Sequence, residues 1–243
     1  MTAAIAPLLE RLRTHDDMSA DEEAMLRWAI SDIRSVRAGH ATIREGEELS
    51  HAIVLLQGFM CRHKDLSEGR RQITEIHIPG DFVDLHGFTL KKLSDSVTTL
   101  TPCRIGIVPH ERLLRITETH PHLTRLLWFT TNLDAAIHRE WVLSLGRRPA
   151  IERLAHLFCE LHFRLTLVGH APPETPFPLP LTQADLADCL GLTSVHVNRV
   201  LQELRDSGAV EFRKREVTIR DLGALRALAE FDPAYLHPER RPR

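Results

Sequence analysis

The chain has 243 residues, with 31 Lys and Arg against 33 Asp and Glu and a formal net charge of −2. That length suits one large domain or two smaller ones, and two are expected; the charge excludes a polycationic blanket binder of nucleic acid, so any DNA-binding surface must be local. There is no apolar run of about eighteen residues and no basic start followed by an apolar core in MTAAIAPLLERLRTHDD, so a soluble cytoplasmic protein with no membrane partner is expected.

Residues Ala3–Asp32 carry helical apolar spacing, and MSADEEAML offers Ser19 as a cap with acidic residues in the first turn. After Ile33 the texture changes to short β-prone runs broken by Gly39, Gly46, Gly58, Gly69 and Gly80. HAIVLLQG and QITEIHIPGDF are the clearest strands, and SVTTLTPCRIGIVPH adds two more, interrupted at Pro102. Such strands with no helices between them predict a small barrel or jelly roll.

A long helix is expected from about His110 to Ser144. Its stripe of Leu123, Leu126, Leu127, Thr130, Leu133, Ile137 and Trp141 is broader than packing on a barrel requires, so Leu123, Leu126, Thr130, Leu133, Ile137 and Trp141 are read as a dimerisation face. Core packing against the chain's own barrel is the alternative. In HLFCELH, His156, Cys159 and His162 lie three residues apart on one helical side; they read as helix packing rather than metal ligands, and no metal is assigned. Cys61, Cys103, Cys159 and Cys189 are scattered, as in a reducing compartment. GHAPPETPFPLPL is a proline-rich connector.

LTQADLADCLGLTSVHVNRVLQEL reads as two short helices about a turn. Thr182 caps the first, Gly191 stops it, Thr193 caps a second over Ser194–Ser207, and Gly208 ends that one. Val197, Val200, Leu201 and Leu204 make the buried stripe, which turns Ser194, Val195, Asn198, Arg199 and Gln202 outward; Ala187 lets the helices cross closely. This is a helix-turn-helix pattern, with Arg and Asn shaped for bidentate bonds to guanine and adenine. GAVEFRKREVTI adds a hairpin whose tip, Arg213, Lys214 and Arg215, suits phosphate. The candidate DNA contacts are Thr182, Gln183, Thr193, Ser194, Val195, His196, Asn198, Arg199, Gln202, Arg213, Lys214 and Arg215. The tail AEFDPAYLHPERRPR is polar, and only partial order is expected of it.

In this order, the elements resemble the CRP/FNR family of bacterial transcription regulators. The resemblance rests on the helix-turn-helix run, GRRPAIERLAHLFCEL, and Gly46, Gly58 and Pro79-Gly80-Asp81-Phe82. It implies an α+β protein: a helix and β-roll sensor over residues 1–109, a long dimerisation helix over 110–146, and a winged helix-turn-helix domain over 147–243. It further implies a homodimer on a two-fold symmetric double-stranded DNA site, regulating transcription under a signal read in the roll. RNA polymerase and an unidentified small-molecule effector are the other candidate partners.

The departures concern the signal. Cyclic-nucleotide-binding members follow PGDF with Gly-Glu and, later, an Arg beside Ser or Thr; here Asp84-Leu85 and Leu93 or a neighbour stand there, so cyclic AMP is not expected to bind. Lys91 and Lys92 read as a solvated turn. The first cysteine, Cys61, is already inside the roll, which excludes the family's N-terminal iron–sulfur ligand set. His77, His86 and Cys103 are candidate haem ligands by type, but spacing singles out none, and no cofactor is assigned. A ligand- or metal-binding sensor whose helix-turn-helix serves protein interaction is the alternative function. A cupin-like enzyme lacks its H-x-H pair.

Overall fold

The computed structural model describes residues 5–169, 171 and 176–240, so Ala3, residues 172–175 of the proline-rich connector and residues 241–243 of the tail lie outside it. Helices α1 (Ala6–Arg13) and α2 (Ala20–Ala29) open the chain. The Ser19 hydroxyl accepts from the Glu22 N–H while the Glu22 carboxylate accepts from the Ser19 N–H, a reciprocal cap that sets the start of α2.

Seven antiparallel strands follow: β1 (Asp32–Val36), β2 (Ala41–Ile43), β3 (His51–Gln57), β4 (Met60–Asp65), β5 (Arg71–His77), β6 (Ser96–Thr99) and β7 (Cys103–Pro109). They form two sheets, ordered β1-β7-β3 and β2-β6-β4-β5, with the one-turn helix α3 (Gly87–Leu90) between β5 and β6. The β3 run AIVLL is apolar throughout because both of its faces are covered. Ile53 and Leu55 pack inside the roll with Met60, Val83, Val97 and Ile105, while Ala52, Val54 and Leu56 face Leu8, Leu12 and the helices outside. Each fully buried Leu or Ile contributes roughly 1.5–3 kcal/mol.

The expected helix from His110 to Ser144 is two helices, α4 (His110–Thr119) and α5 (Pro121–Arg147). Pro121 has no N–H to continue α4 and disfavours helical backbone at His120, which sits at φ −129°, ψ 75°; Pro121 then serves at the first turn of α5. The residues assigned to dimerisation require a correction. Leu123, Leu126, Leu133, Ile137 and Trp141 are buried within their own protomer. Leu123 and Leu126 join the cluster beneath α1, α2 and β3, whereas Leu133, Ile137 and Trp141 join the one shared with β5 and the C-terminal helices. Thr130 is half-buried, its hydroxyl donating to the Leu127 carbonyl at 2.7 Å. The stripe is broad because α5 spans two cores of one chain.

Beyond α5 come α6 (Ala150–Leu167), the two-residue strand β8 (Phe177–Pro178), α7 (Gln183–Leu190), α8 (Ser194–Asp206), β9 (Val210–Arg213), β10 (Glu216–Ile219) and α9 (Leu222–Ala229). The small sheet is ordered β8-β10-β9. The tail is more ordered than its composition implied: Phe231 and Leu236 are buried, and the Tyr235 hydroxyl donates to Glu160 Oε2 at 2.8 Å. Among the described residues no helix is long and apolar enough to cross a membrane.

Candidate nucleic-acid interface and sensor core

The two helices of the predicted motif have the expected ends. Thr182 caps α7 and exchanges hydrogen bonds with Asp185; Thr193 caps α8 by accepting from the His196 N–H at 3.2 Å. Between them Gly191 takes φ 63°, ψ 38°, a left-handed conformation in which a side chain is strained. Leu186 and Leu190 from α7 and Val197, Val200, Leu201 and Leu204 from α8 are buried together, and Ala187 is buried with them.

The opposite face of α8 is free of the core. Ser194, Val195, Asn198, Arg199 and Gln202 are exposed, Val195 to 82%, as are Thr182, Gln183 and Thr193 at the helix starts; His196 is half-buried. An exposed valine on a helix start contributes nothing to folding and can contact a thymine methyl. Gln183 Nε2 donates to Asn198 Oδ1 at 2.9 Å, so the first helix orients a side chain of the second. Arg199 lies 3.0 Å from His196 Nε2 and 3.6 Å from Glu203, both on the solvent side, where they steer it without holding it in the core.

At the hairpin tip, Lys214 and Arg215 adopt φ 51° and 63°. Two successive positive φ values define the turn that suits the twist of a two-residue hairpin, and Asn-Gly would occupy it at less cost. Each non-glycine residue held there costs of order 1 kcal/mol, so two exposed cations in such a place point to a use for their charge. Arg213, also exposed, pairs with Glu211.

The reading motif is fastened to the roll. Arg71 on β5 pairs with Asp188 at 2.8 Å and Asp185 at 2.9 Å on α7, and Gln72 Nε2 donates to the Asp188 carbonyl at 2.7 Å. Asp81, in the turn after β5, accepts from Arg164 of α6 at 2.7 Å and pairs with Arg11 of α1 at 3.5 Å. Gly80 permits that approach: with φ 99°, any Cβ there would stand 2.5 Å from the Pro7 carbonyl oxygen.

Inside the roll, Asp84 Oδ1 accepts from the Ile53 N–H at 2.6 Å, and burial pushes its carboxyl up to about 7. Leu85 and Leu93 are buried core residues. A buried carboxyl and two leucines thus occupy the segment where an anion would need an arginine. Arg62 is turned to other work: its Nε donates to Glu75 at 3.3 Å and its Nη1 lies 2.8 Å from His86 Nε2. Burial, then Arg62, pushes His86 down to about 4, so it accepts as a neutral ring. Glu75 Oε2 also lies 3.6 Å from His77 Nε2 and 3.5 Å from His138 Nε2 of α5. Sequence reading missed this network; its signal was Glu75 and His77, spaced two apart on one face of β5 and followed by the apolar Ile78.

The remaining flagged residues are structural neighbours rather than a cluster. His156 packs on Phe231 with ring centroids 5.2 Å apart and His162 on Phe177 at 5.4 Å, while burial raises the Cys159 thiol to about 12. Among the described residues no group of three or more His, Cys, Asp or Glu side chains is arranged to hold a metal ion. Lys91 lies over the Phe88 ring at 5.0 Å, on a surface turn.

A two-sheet β-roll joined by a long helix to a winged helix-turn-helix with an exposed face on its second helix defines a DNA-binding transcription regulator. Residues 33–120 match the family described as cyclic nucleotide-binding domain, and residues 152–228 match the Crp-like helix-turn-helix domain. A "Probable transcriptional activator" of Rhizobium leguminosarum is 35% identical over 79% of this chain and 79% of its own. The transcriptional activator protein FnrL of Cereibacter sphaeroides is 34% identical over 84% of this chain and 83% of its own. Among solved structures, FixK2 from Bradyrhizobium japonicum superposes with a TM-score of 0.74 at 27% identity, covering 81% of this chain and 96% of that one. The chain belongs to the CRP/FNR family of transcription regulators.

Proposed function

We propose that the protein acts as a cytoplasmic homodimer on an inverted-repeat operator, with residues 1–109 as sensor, 110–146 as the pairing segment and 147–243 as the DNA-binding domain. Helix α8 enters the major groove and reads base edges through Ser194, Val195, Asn198, Arg199 and Gln202. Thr182, Gln183, Thr193 and His196 border the reading face, and Arg213, Lys214 and Arg215 meet phosphate. The observation that carries this reading is the exposed face of α8, with Asn198 braced by Gln183 and Arg199 projecting one turn past a capped start. Descriptions of the relatives as transcriptional activators favour activation, with RNA polymerase as the downstream partner. The controlling signal is something other than cyclic AMP, since Asp84, Leu85 and Leu93 fill the segment that would hold it.

Gel shift on the protein's own upstream region tests the assignment. Arg199→Ala should cost roughly 1–3 kcal/mol per half-site and flatten sequence preference. Equal losses on specific and random DNA would refute base reading by Arg199.

A further inference from the structure

Asn198 is not a free rotor on the reading face. Gln183, the first residue of α7, donates from Nε2 to Asn198 Oδ1 at 2.9 Å, while Asn198 Nδ2 donates to no group within the chain among the described residues. Both side chains are exposed, so the bond contributes little to folding. What it fixes is the polarity of Asn198. An asparagine that reads adenine sets its oxygen and its nitrogen side by side on one base edge, accepting from N6 and donating to N7. With Oδ1 turned to α7, the group left for the groove is a donor.

Val195 lies three residues earlier on α8 and is 82% exposed. Side chains at that spacing on a helix are neighbours, with Cβ atoms about 5–6 Å apart. The two residues therefore present a small apolar surface beside a hydrogen-bond donor. In the major groove thymine shows the complement, a C5-methyl group beside the O4 acceptor. Guanine offers acceptors without the methyl, and cytosine and adenine each carry an amino donor.

We propose that Val195 and Asn198 together read one thymine in each half-site, and that Gln183 is the positioning residue that makes Asn198 a donor. This replaces the adenine contact expected from the side-chain type alone, and it rests on the reading of α8 as the groove helix. Arg199 stands outside the thymine contact, since its own neighbours are His196 and Glu203. Its base is therefore an internal reference.

Selection from a random DNA library by the full chain, repeated with Asn198→Ala, locates the base pair that depends on Asn198, and thymine should be enriched there. Duplexes altered at that position in one half-site then separate the two contacts by gel shift. Deoxyuridine lacks only the methyl and should bind about fourfold more weakly, a difference that Val195→Ala should erase. 5-Methylcytosine keeps the methyl but carries an amino group in place of O4, and should bind about tenfold more weakly. Gln183→Glu is the decisive variant. A carboxylate only accepts, so Asn198 must turn its amide over, donating from Nδ2 and leaving Oδ1 for the groove. The variant should then prefer 5-methylcytosine to thymine, reversing the wild-type order whatever its overall affinity, and should keep its preference at the base read by Arg199. Residue 183 is exposed at the start of a helix, where negative charge is favourable, so circular dichroism should be unchanged. Enrichment of adenine at the Asn198 position, or an unchanged ratio of thymine to 5-methylcytosine binding in Gln183→Glu, would overturn the role of Gln183. A deoxyuridine penalty that survives Val195→Ala would overturn that of Val195. A wild-type protein that enriches no sequence is a different failure, and overturns the reading of α8 itself.

Discussion

Arg164 offers a sharp test of how the two halves of the molecule are joined. Its side chain is 1% exposed and divides its charge between Asp81 of the roll, at 2.7 Å, and Glu160 of α6, at 3.2 Å. Arg164→Met keeps most of the volume and removes the cation, leaving buried carboxylates with incomplete compensation. Breaking one side of a buried ion pair costs about 3–5 kcal/mol. Here the lower half of that range applies, because Asp81 retains Arg11 and Glu160 retains donors from Trp141 at 3.1 Å and Tyr235 at 2.8 Å. At about 2–4 °C per kcal/mol for a chain of this length, the melting temperature should fall by roughly 6–16 °C. Calorimetry at pH 7 measures it, and adding Glu160→Gln should restore part of the loss by removing one stranded charge. A fall of less than about 2 °C, under 1 kcal/mol, would mean that Arg164 and Asp81 are not paired as described.

Asp84 and His156 give opposite pH signatures. Burial raises the folded Asp84 carboxyl to about 7, so its penalty is absent at low pH and grows as pH rises from the unfolded value near 4; Asp84→Asn should therefore stabilise at pH 8 and match wild type near pH 4 in denaturant titrations. A deficit at pH 8 would refute this. Burial, then Arg148, pushes folded His156 down to about 3, so stability should be lost as pH falls from about 6.5 towards 3, and His156→Phe should flatten that limb; an unchanged acid limb would exclude His156 as its source. Replacing both Lys214 and Arg215 by alanine should lower the slope of log affinity against log salt by about one to two for each subunit contacting DNA, and an unchanged slope would remove the hairpin tip from the interface. Calorimetric titration with cyclic AMP should find no micromolar site; finding one would show that Asp84, Leu85 and Leu93 do not mark the binding segment.

Local chemistry made the helix-turn-helix legible: a capping hydroxyl at Thr182, a left-handed glycine at Gly191, a second cap at Thr193 and the apolar spacing of α8 all act within a few residues. Strands β3 and β7 were legible because they carry compact apolar runs, and β5 because Ile73, Ile76 and Ile78 lie between turn residues. The α5 stripe was ambiguous because apolar spacing does not say which partner buries it; Leu133 and Ile137 meet their own chain. The Pro121 break was present in the sequence, but the apolar spacing on either side ran smoothly past it. The Asp81–Arg164 pair has no local signature: the two residues are 83 apart, and only folding brings them together.

Arg71 bears on how the protein can be rebuilt. Exchanging reading heads between relatives would naturally cut the chain where α5 ends, at Arg147. Such a graft would carry Asp185 and Asp188 into a chimera while leaving Arg71 behind on the donor's β5, stripping the incoming head of two ion pairs. A working chimera should transplant the β5 arginine with the head, treating residue 71 as part of a module that begins 76 residues later in the chain.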